Sequence, residues 1–151
     1  MKDTYTEMYF HFVWATKGRE EMITPTVRRT LYSYIQGVCR EHGISVYALG
    51  GMPDHVHLAC DLPTTLALAD FVKQIKGGSA HLVNHSPELP VTKTLRWQPG
   101  YGVLTLNGSD LKRIISYIEN QETHHRNNTL LGKLERCSEA DTPSSSPAGT
   151  S

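Results

Sequence analysis

This sequence leaves little room for disulfide chemistry. Its 151 residues contain three cysteines, Cys39, Cys60 and Cys137, an odd count with no C-x-x-C pair. That argues against a disulfide-stapled scaffold or a cysteine-based zinc site and points to thiols in a reducing compartment. No apolar run approaches the roughly 18–20 residues that span a bilayer. The opening Met1-Lys2-Asp3-Thr4-Tyr5 has neither the apolar core nor the small-residue cleavage site of a secretory leader. A cytoplasmic protein without a membrane partner is expected. Net charge is missing too, since 15 Lys and Arg balance 15 Asp and Glu. The balance is uneven along the chain: residues 1–70 carry six basic against eight acidic groups, 71–133 eight against four, and 134–151 one against three. A basic middle permits a nucleic-acid partner but does not establish one. Neither a serine triad nor a nucleotide-binding glycine loop is present.

What is there suffices for one domain with a core, at 38% hydrophobic and 20% charged residues. The aromatic-rich run from Tyr5 to Trp14 reads as a first strand. Thr24-Pro25 supplies a helix cap and first-turn proline, and Val27, Leu31, Tyr34, Ile35 and Val38 follow at helical spacing up to Gly43. Ile44–Leu49 and His55–Cys60 read as strands around a turn at Gly50–Asp54. A second helix opens at Pro63-Thr64-Thr65, weakens at Gly77-Gly78 and resumes over Ser79–His85. After a loop with Pro87 and Pro90, Leu95–Trp97 and Tyr101–Leu106 read as two more strands. Ser109-Asp110 caps a last helix reaching Asn127-Asn128. Beyond it, a Ser-, Thr- and Pro-rich composition favours disorder, so residues 1–133 are expected to form the domain and 134–151 a disordered tail. The element order implies an α+β fold, an antiparallel sheet with helices packed on one face.

His55-Val56-His57 is the sharpest chemical feature. Residues two apart on a strand share a face, so both imidazoles project together as a potential pair of metal ligands. Taken alone, such a triplet is more often a pair of surface histidines. Asp54 could orient one ring or simply begin the strand. On the last helix Tyr117 and Gln121, four apart, share a face, although a lone tyrosine more often packs and a lone glutamine is more often solvated. His124 and His125 point to different faces, so at most one could join a site around Gln121. His81 and His85 have i, i+4 spacing but no intervening carboxylate, and surface histidines are the simpler account.

Met52-Pro53-Asp54-His55-Val56-His57-Leu58, Ile75-Lys76-Gly77-Gly78-Ser79, Trp97-Gln98-Pro99-Gly100-Tyr101-Gly102 and Tyr117-Ile118-Glu119-Asn120-Gln121 with His124-His125 together resemble one family in order and spacing. It is the single-tyrosine HUH transposases of the insertion-sequence-200/605 type, with their REP-associated relatives, and the resemblance spans about residues 5–130. It implies a ferredoxin-like α+β fold, Mg²⁺ or Mn²⁺ held by His55, His57 and Gln121, and Tyr117 as nucleophile on single-stranded DNA. It also implies DNA hairpins as partner and a homodimer as the preferred state. Lys76, Ser79, Arg96, Trp97, Tyr101, Lys112 and Arg113 are the candidate DNA contacts. The competing expectations are a hydrolytic metal-dependent phosphodiesterase, in which water attacks, and a domesticated hairpin-binding protein without catalysis.

Overall fold

The computed structural model describes residues 4–89, 94–127 and 130–138. Four strands, β1 (Tyr9–Ala15), β2 (Val46–Met52), β3 (His55–Asp61) and β4 (Gly102–Leu106), form one antiparallel sheet in the order β2-β3-β1-β4. Helix α1 (Pro25–Glu41) connects β1 to β2, and α2 (Leu68–Asn84) connects β3 to β4. This is the ferredoxin-like arrangement expected. The chain continues as α3 (Gly108–Glu119), α4 (Gln121–Arg126) and α5 (Gly132–Glu135). Among the described residues no helix is long and apolar enough to cross a membrane.

The two-residue period of the central strands sorts their side chains between two faces. Phe12 and Trp14 of β1 and Val56, Leu58 and Cys60 of β3 face Leu31, Ile35 and Val38 of α1 and Phe71, Val72 and Ile75 of α2, all buried in one core. Each such aliphatic or aromatic side chain contributes roughly 1.5–3 kcal/mol when fully buried. Alternate positions, His11, Val13 and Ala15 on β1 with His55, His57 and Ala59 on β3, look the other way. There Ile114, Tyr117, Ile118 and Leu134 pack on Ala48 and Ala59. The expectation of helices on one face therefore holds for α1 and α2, whereas α3 covers the second face.

Local corrections follow from packing. Gly77-Gly78 does not interrupt α2, because a Cβ at Gly78 would overlap the Tyr34 hydroxyl and the glycine lets α1 and α2 approach. Leu95–Trp97 makes one bridge, Thr16 to Trp97, rather than a strand. β4 pairs with β1 only as far as Val13, and beyond it, among the described residues, the segment adds just two backbone hydrogen bonds, Lys17 N–H to the Arg96 carbonyl and Gln98 N–H to the Ala15 carbonyl. The last helix is divided at Asn120 (φ −109°, ψ 27°), with Gln121 opening α4. The boundary expected at 133 falls too early. Leu134 and Cys137 are 4% and 0% exposed, and Cys137 packs on Val13 and Ala15. Pro90, Asn128 and the tail from 139 onward lie outside the described residues.

Candidate active site

The second face of the sheet holds the expected histidines, both buried, at 1% exposure for His55 and 0% for His57. Asp54 Oδ1 lies 2.7 Å from His55 Nδ1, so the carboxylate orients that ring and a neutral His55 presents a lone pair at Nε2. Burial pulls the Asp54 pKa upward, but the hydrogen bond and charge of His55, with Arg19, outweigh it and hold the group low. Gln121 Oε1 faces His55 Nε2 at 3.1 Å and His125 Nε2 at 3.2 Å. The Gln121 amide nitrogen has no hydrogen-bond partner among the described residues.

Glu135, from the segment expected to be a tail, enters the same space. Its Oε2 stands 2.8 Å from His57 Nε2 and 3.6 Å from His55 Nε2, and its Oε1 is 3.6 Å from His125 Nε2. The shortest of these contacts is out of line for a hydrogen bond, which leaves His57 Nε2 a buried nitrogen without a hydrogen-bond partner. Burial lowers the His57 pKa despite the neighbouring carboxylate, favouring the neutral ring. Burial raises that of Glu135, but the His57 ring, the charges of His57 and His55 and the Tyr117 hydroxyl bring it down to about 2. The fully buried His57 is neutral, and Glu135 is ionised at neutral pH.

Ligand atoms of His55, His57 and Glu135 thus lie within 4.8 Å of one another, with Gln121 Oε1 beside them. Lone pairs gathered this closely repel unless a positive charge sits between them. Ligands about 2.1 Å from Mg²⁺ in octahedral geometry stand about 3 Å apart. The short separations here are of that size, so the donor set fits a hard divalent cation.

Tyr117 is 4% exposed, and its ring centroid lies 6.0 Å from that of His57 in the same chain. Its hydroxyl donates to Glu135 Oε1 at 2.9 Å and accepts from the Leu131 N–H at 3.0 Å. Burial pushes the phenol pKa well above the ordinary tyrosine range; the Leu131 N–H opposes the shift and the Glu135 charge adds to it. His124 stacks on the Tyr117 ring at 4.6 Å while His125 reaches Gln121, so both members of the pair approach the site.

The candidate DNA contacts divide. Lys112 and Arg113 are exposed and line a groove with Tyr117, Ser116 and His124. Arg96 is exposed on another part of the surface. Lys76 Nζ donates to the carbonyls of Gln98 (2.8 Å) and Gly100 (2.9 Å), which fastens the 98–100 loop. Ser79 is a correction: it is 0% exposed, donates to the Lys76 carbonyl and accepts from Trp97 Nε1. Its hydroxyl is used internally and is not offered to DNA. Trp97 also packs edge-on against Trp14, and Tyr101 lies 6.5 Å from Phe12, so both rings are partly committed to the core. His81 of α2 and His85 just past its end are both exposed and stack on each other, on the far side of the sheet.

Sequence reasoning missed Glu135 and His11. The second is a fully buried β1 histidine whose Nε2 lies 2.8 Å from His57 Nδ1. Its signal was the two-residue period, which puts position 11 on the face shared by 55 and 57.

Known proteins resemble this chain in sequence and in fold. The family described as "Transposase IS200 like" matches residues 4–121. The ISDra2 transposase TnpA of Deinococcus radiodurans is 30% identical over 118 residues, covering 76% of this chain and 84% of that protein. The transposase for insertion sequence element IS200 of Salmonella typhimurium is 26% identical over 115 residues, 74% of this chain and 75% of that one. A crystal structure of a putative transposase from Deinococcus radiodurans superposes with a TM-score of 0.59 at 33% identity, over 80% of this chain and 98% of that one. A REP-associated tyrosine transposase bound to a REP hairpin shares the fold, with a TM-score of 0.62 at 20% identity over 83% and 74% of the two chains. The matched span runs from before β1 through Gln121 and so takes in the histidine pair, Tyr117 and the helix that carries it; this chain belongs to the IS200-like transposase family.

Proposed function

We propose that the protein cuts single-stranded DNA at hairpin-bearing ends and transfers the strand through a covalent bond to Tyr117. The observation that carries this reading is one carboxylate, Glu135, shared between the Tyr117 hydroxyl and the two-histidine cluster. A nucleophile and a cation-binding donor set meet at a single group. His55, His57 and Gln121, joined by Glu135, would hold Mg²⁺ or Mn²⁺. When bound, such an ion polarises the scissile phosphate.

The chain's own residues account for the remaining chemistry. A phenol shifted upward by burial does not ionise on its own at neutral pH. As the Tyr117 oxygen bonds to phosphorus and the bond from phosphorus to the 3′-oxygen breaks, the phenolic proton is handed off through Glu135 Oε1 and ends on the departing 3′-oxygen. The products are a 5′-phosphotyrosine and a 3′-hydroxyl. The ester conserves the bond, so attack by a 3′-hydroxyl rejoins DNA without ATP. Lys112 and Arg113, beside Tyr117 in the groove, suit the strand's phosphates. A hairpin ligand is supported by the fold neighbour solved on a REP hairpin. Cutting two ends requires two tyrosines, which a homodimer would supply, although Tyr117 and the histidines already meet within one chain. The cytoplasm is the compartment we propose.

The test is incubation of a labelled hairpin single strand with protein and Mn²⁺, followed by denaturing electrophoresis. Wild type should give a covalent protein–DNA band, and Tyr117→Phe should bind the hairpin and give none. Gln121→Ala should require more Mn²⁺ for the same yield. Cleavage without any covalent species would favour hydrolysis and refute the proposal, and hairpin binding without cleavage would reduce the chain to a binding protein.

A further inference from the structure

Arg19 is held in a backbone conformation that its residue type disfavours. It ends the short turn between β1 and α1 at φ 57°, and among the described residues it is the one non-glycine residue with positive φ. There the Cβ of an L-residue crowds the following carbonyl oxygen, so glycine is the ordinary occupant. Surrounding hydrogen bonds enforce the conformation. The buried Thr16 hydroxyl donates to the Glu20 carbonyl at 2.6 Å, and the Arg19 N–H donates to the Thr16 carbonyl at 3.0 Å. The Thr16 and Ile23 N–H groups donate to the Asp54 and Pro53 carbonyls, each at 2.9 Å, which ties the turn to the residues just before His55. Strain that the fold enforces in this way clusters at functional positions.

The side chain turns toward the sheet face that carries the histidines. Arg19 Nη2 donates to Cys137 Sγ at 3.7 Å, and Cys137 packs on Val13 and Ala15, the latter opposite His55 in the sheet register. The guanidinium charge acts on Asp54, which orients His55, and on His125, which contacts Gln121. Among the described residues no carboxylate lies within 4 Å of it, and the thiol engages few of its five N–H donors. The rest of the residue is exposed. A free, permanently charged fork therefore stands at the His55 end of the cluster, whereas Lys112 and Arg113 lie with Tyr117. We infer that Arg19 is a further catalytic residue, whose guanidinium holds the non-bridging oxygens of the scissile phosphodiester while Tyr117 attacks. The inference deepens the strand-cutting reading above and rests on it. A phosphodiester entering this space meets the carboxylates of Glu135 and Asp54, and a fixed cation offsets their repulsion. The planar fork matches two phosphate oxygens at once and strengthens its hold as charge spreads over them during transfer. Glycine would suit the turn better but carries no charge, which accounts for an arginine at a position of positive φ.

The experiment compares wild type, Arg19→Gly, which relaxes the backbone, and Arg19→Lys, which keeps the charge without the fork. Arg19→Gly should melt at the wild-type temperature or above it, because the strain is gone. With strand and Mn²⁺ saturating, its single-turnover adduct formation should slow by about 100-fold or more, with Arg19→Lys between the two. In EDTA, Arg19→Gly should bind a hairpin with a single-stranded flank more weakly than wild type and a bare hairpin equally well. The salt dependence for the flanked strand should fall by about 0.7 in slope, the share of one phosphate contact. A neutral methylphosphonate at the linkage that wild type cuts should abolish the difference in affinity between the two proteins. A wild-type adduct rate in Arg19→Gly, an equal loss on the bare hairpin, or a difference that survives the methylphosphonate overturns the inference. A lowered melting temperature in Arg19→Gly also overturns it, by making the contact with Cys137 the reason for the arginine. Wild type that forms no adduct, with an Arg19-dependent affinity confined to the flanked strand, would overturn covalent cutting and leave the phosphate contact standing. No adduct and no such dependence would overturn both.

Discussion

Replacing Glu135 by Gln keeps the shape of the side chain and one acceptor oxygen while removing its charge and its capacity to take a proton. In the folded protein this carboxylate accepts the Tyr117 hydroxyl at 2.9 Å and approaches His57 Nε2 to 2.8 Å, at 16% side-chain exposure. A hydrogen bond to a charged group contributes about 1.5–3 kcal/mol, and an amide oxygen keeps roughly half of it. The expected loss of stability is therefore about 1 kcal/mol, or about 3 °C in Tm for a chain of this length. The effect on chemistry should be far larger. A positioned proton acceptor contributes about 100-fold to 10,000-fold, and the upward-shifted phenol of Tyr117 has no other carboxylate near it among the hydrogen bonds described. Single-turnover formation of the covalent species, with DNA and Mn²⁺ saturating, should slow by about 100-fold or more in Glu135→Gln, while hairpin affinity in EDTA stays at the wild-type value. A wild-type rate in this variant would show that Glu135 takes no proton from Tyr117. A Tm loss of about 10 °C would show that the carboxylate is chiefly structural.

Two further outcomes follow from the same contacts. A Cβ at Gly102 would overlap the Arg136 carbonyl, so Gly102→Ala should push the C-terminal segment off β4 and reduce adduct formation as Glu135→Gln does; full activity in that variant would place the segment outside the site. Metal-free protein should lose stability in mild acid. His11 is held at about 3 in the fold against 6.5 unfolded, so the unfolded chain takes up the extra proton, and stability is complete above pH 6.5 and declines below it toward pH 3. The slope from this residue approaches about 1.4 kcal/mol per pH unit. Urea denaturation at pH 7, 6 and 5 measures it, and equal or rising stability at pH 5 would contradict the assignment of a neutral buried His11.

Much of this architecture is written in local pattern. Thr24-Pro25 caps α1 as its residue types require, with Thr24 accepting from the Val27 N–H at 3.3 Å. The His55-Val56-His57 alternation delivers two rings to one face because a strand has no other choice. Glu135 was hidden for a physical reason. Its neighbours downstream have the composition of a disordered tail, and only the docking of Leu134 and Cys137 on the sheet, a long-range event, turns it inward. His11 was hidden among aromatics in a strand whose partners on both sides are distant in sequence. Gly77-Gly78 misled in the opposite direction, since the low helix propensity of glycine is outweighed by the close approach of Tyr34 that Gly78 permits.

The central claim is that Tyr117 itself becomes bonded to DNA, and peptide mapping of the covalent species tests it most directly. Trypsin should release residues 114–126, between Arg113 and Arg126, a peptide in which Tyr117 is the only tyrosine. After nuclease trimming, the account predicts that this peptide gains the mass of a 5′-linked nucleotide in wild type and that no such peptide forms from Tyr117→Phe. The same added mass on the peptide containing Tyr101, or cleaved DNA with every tyrosine peptide unmodified, would contradict it.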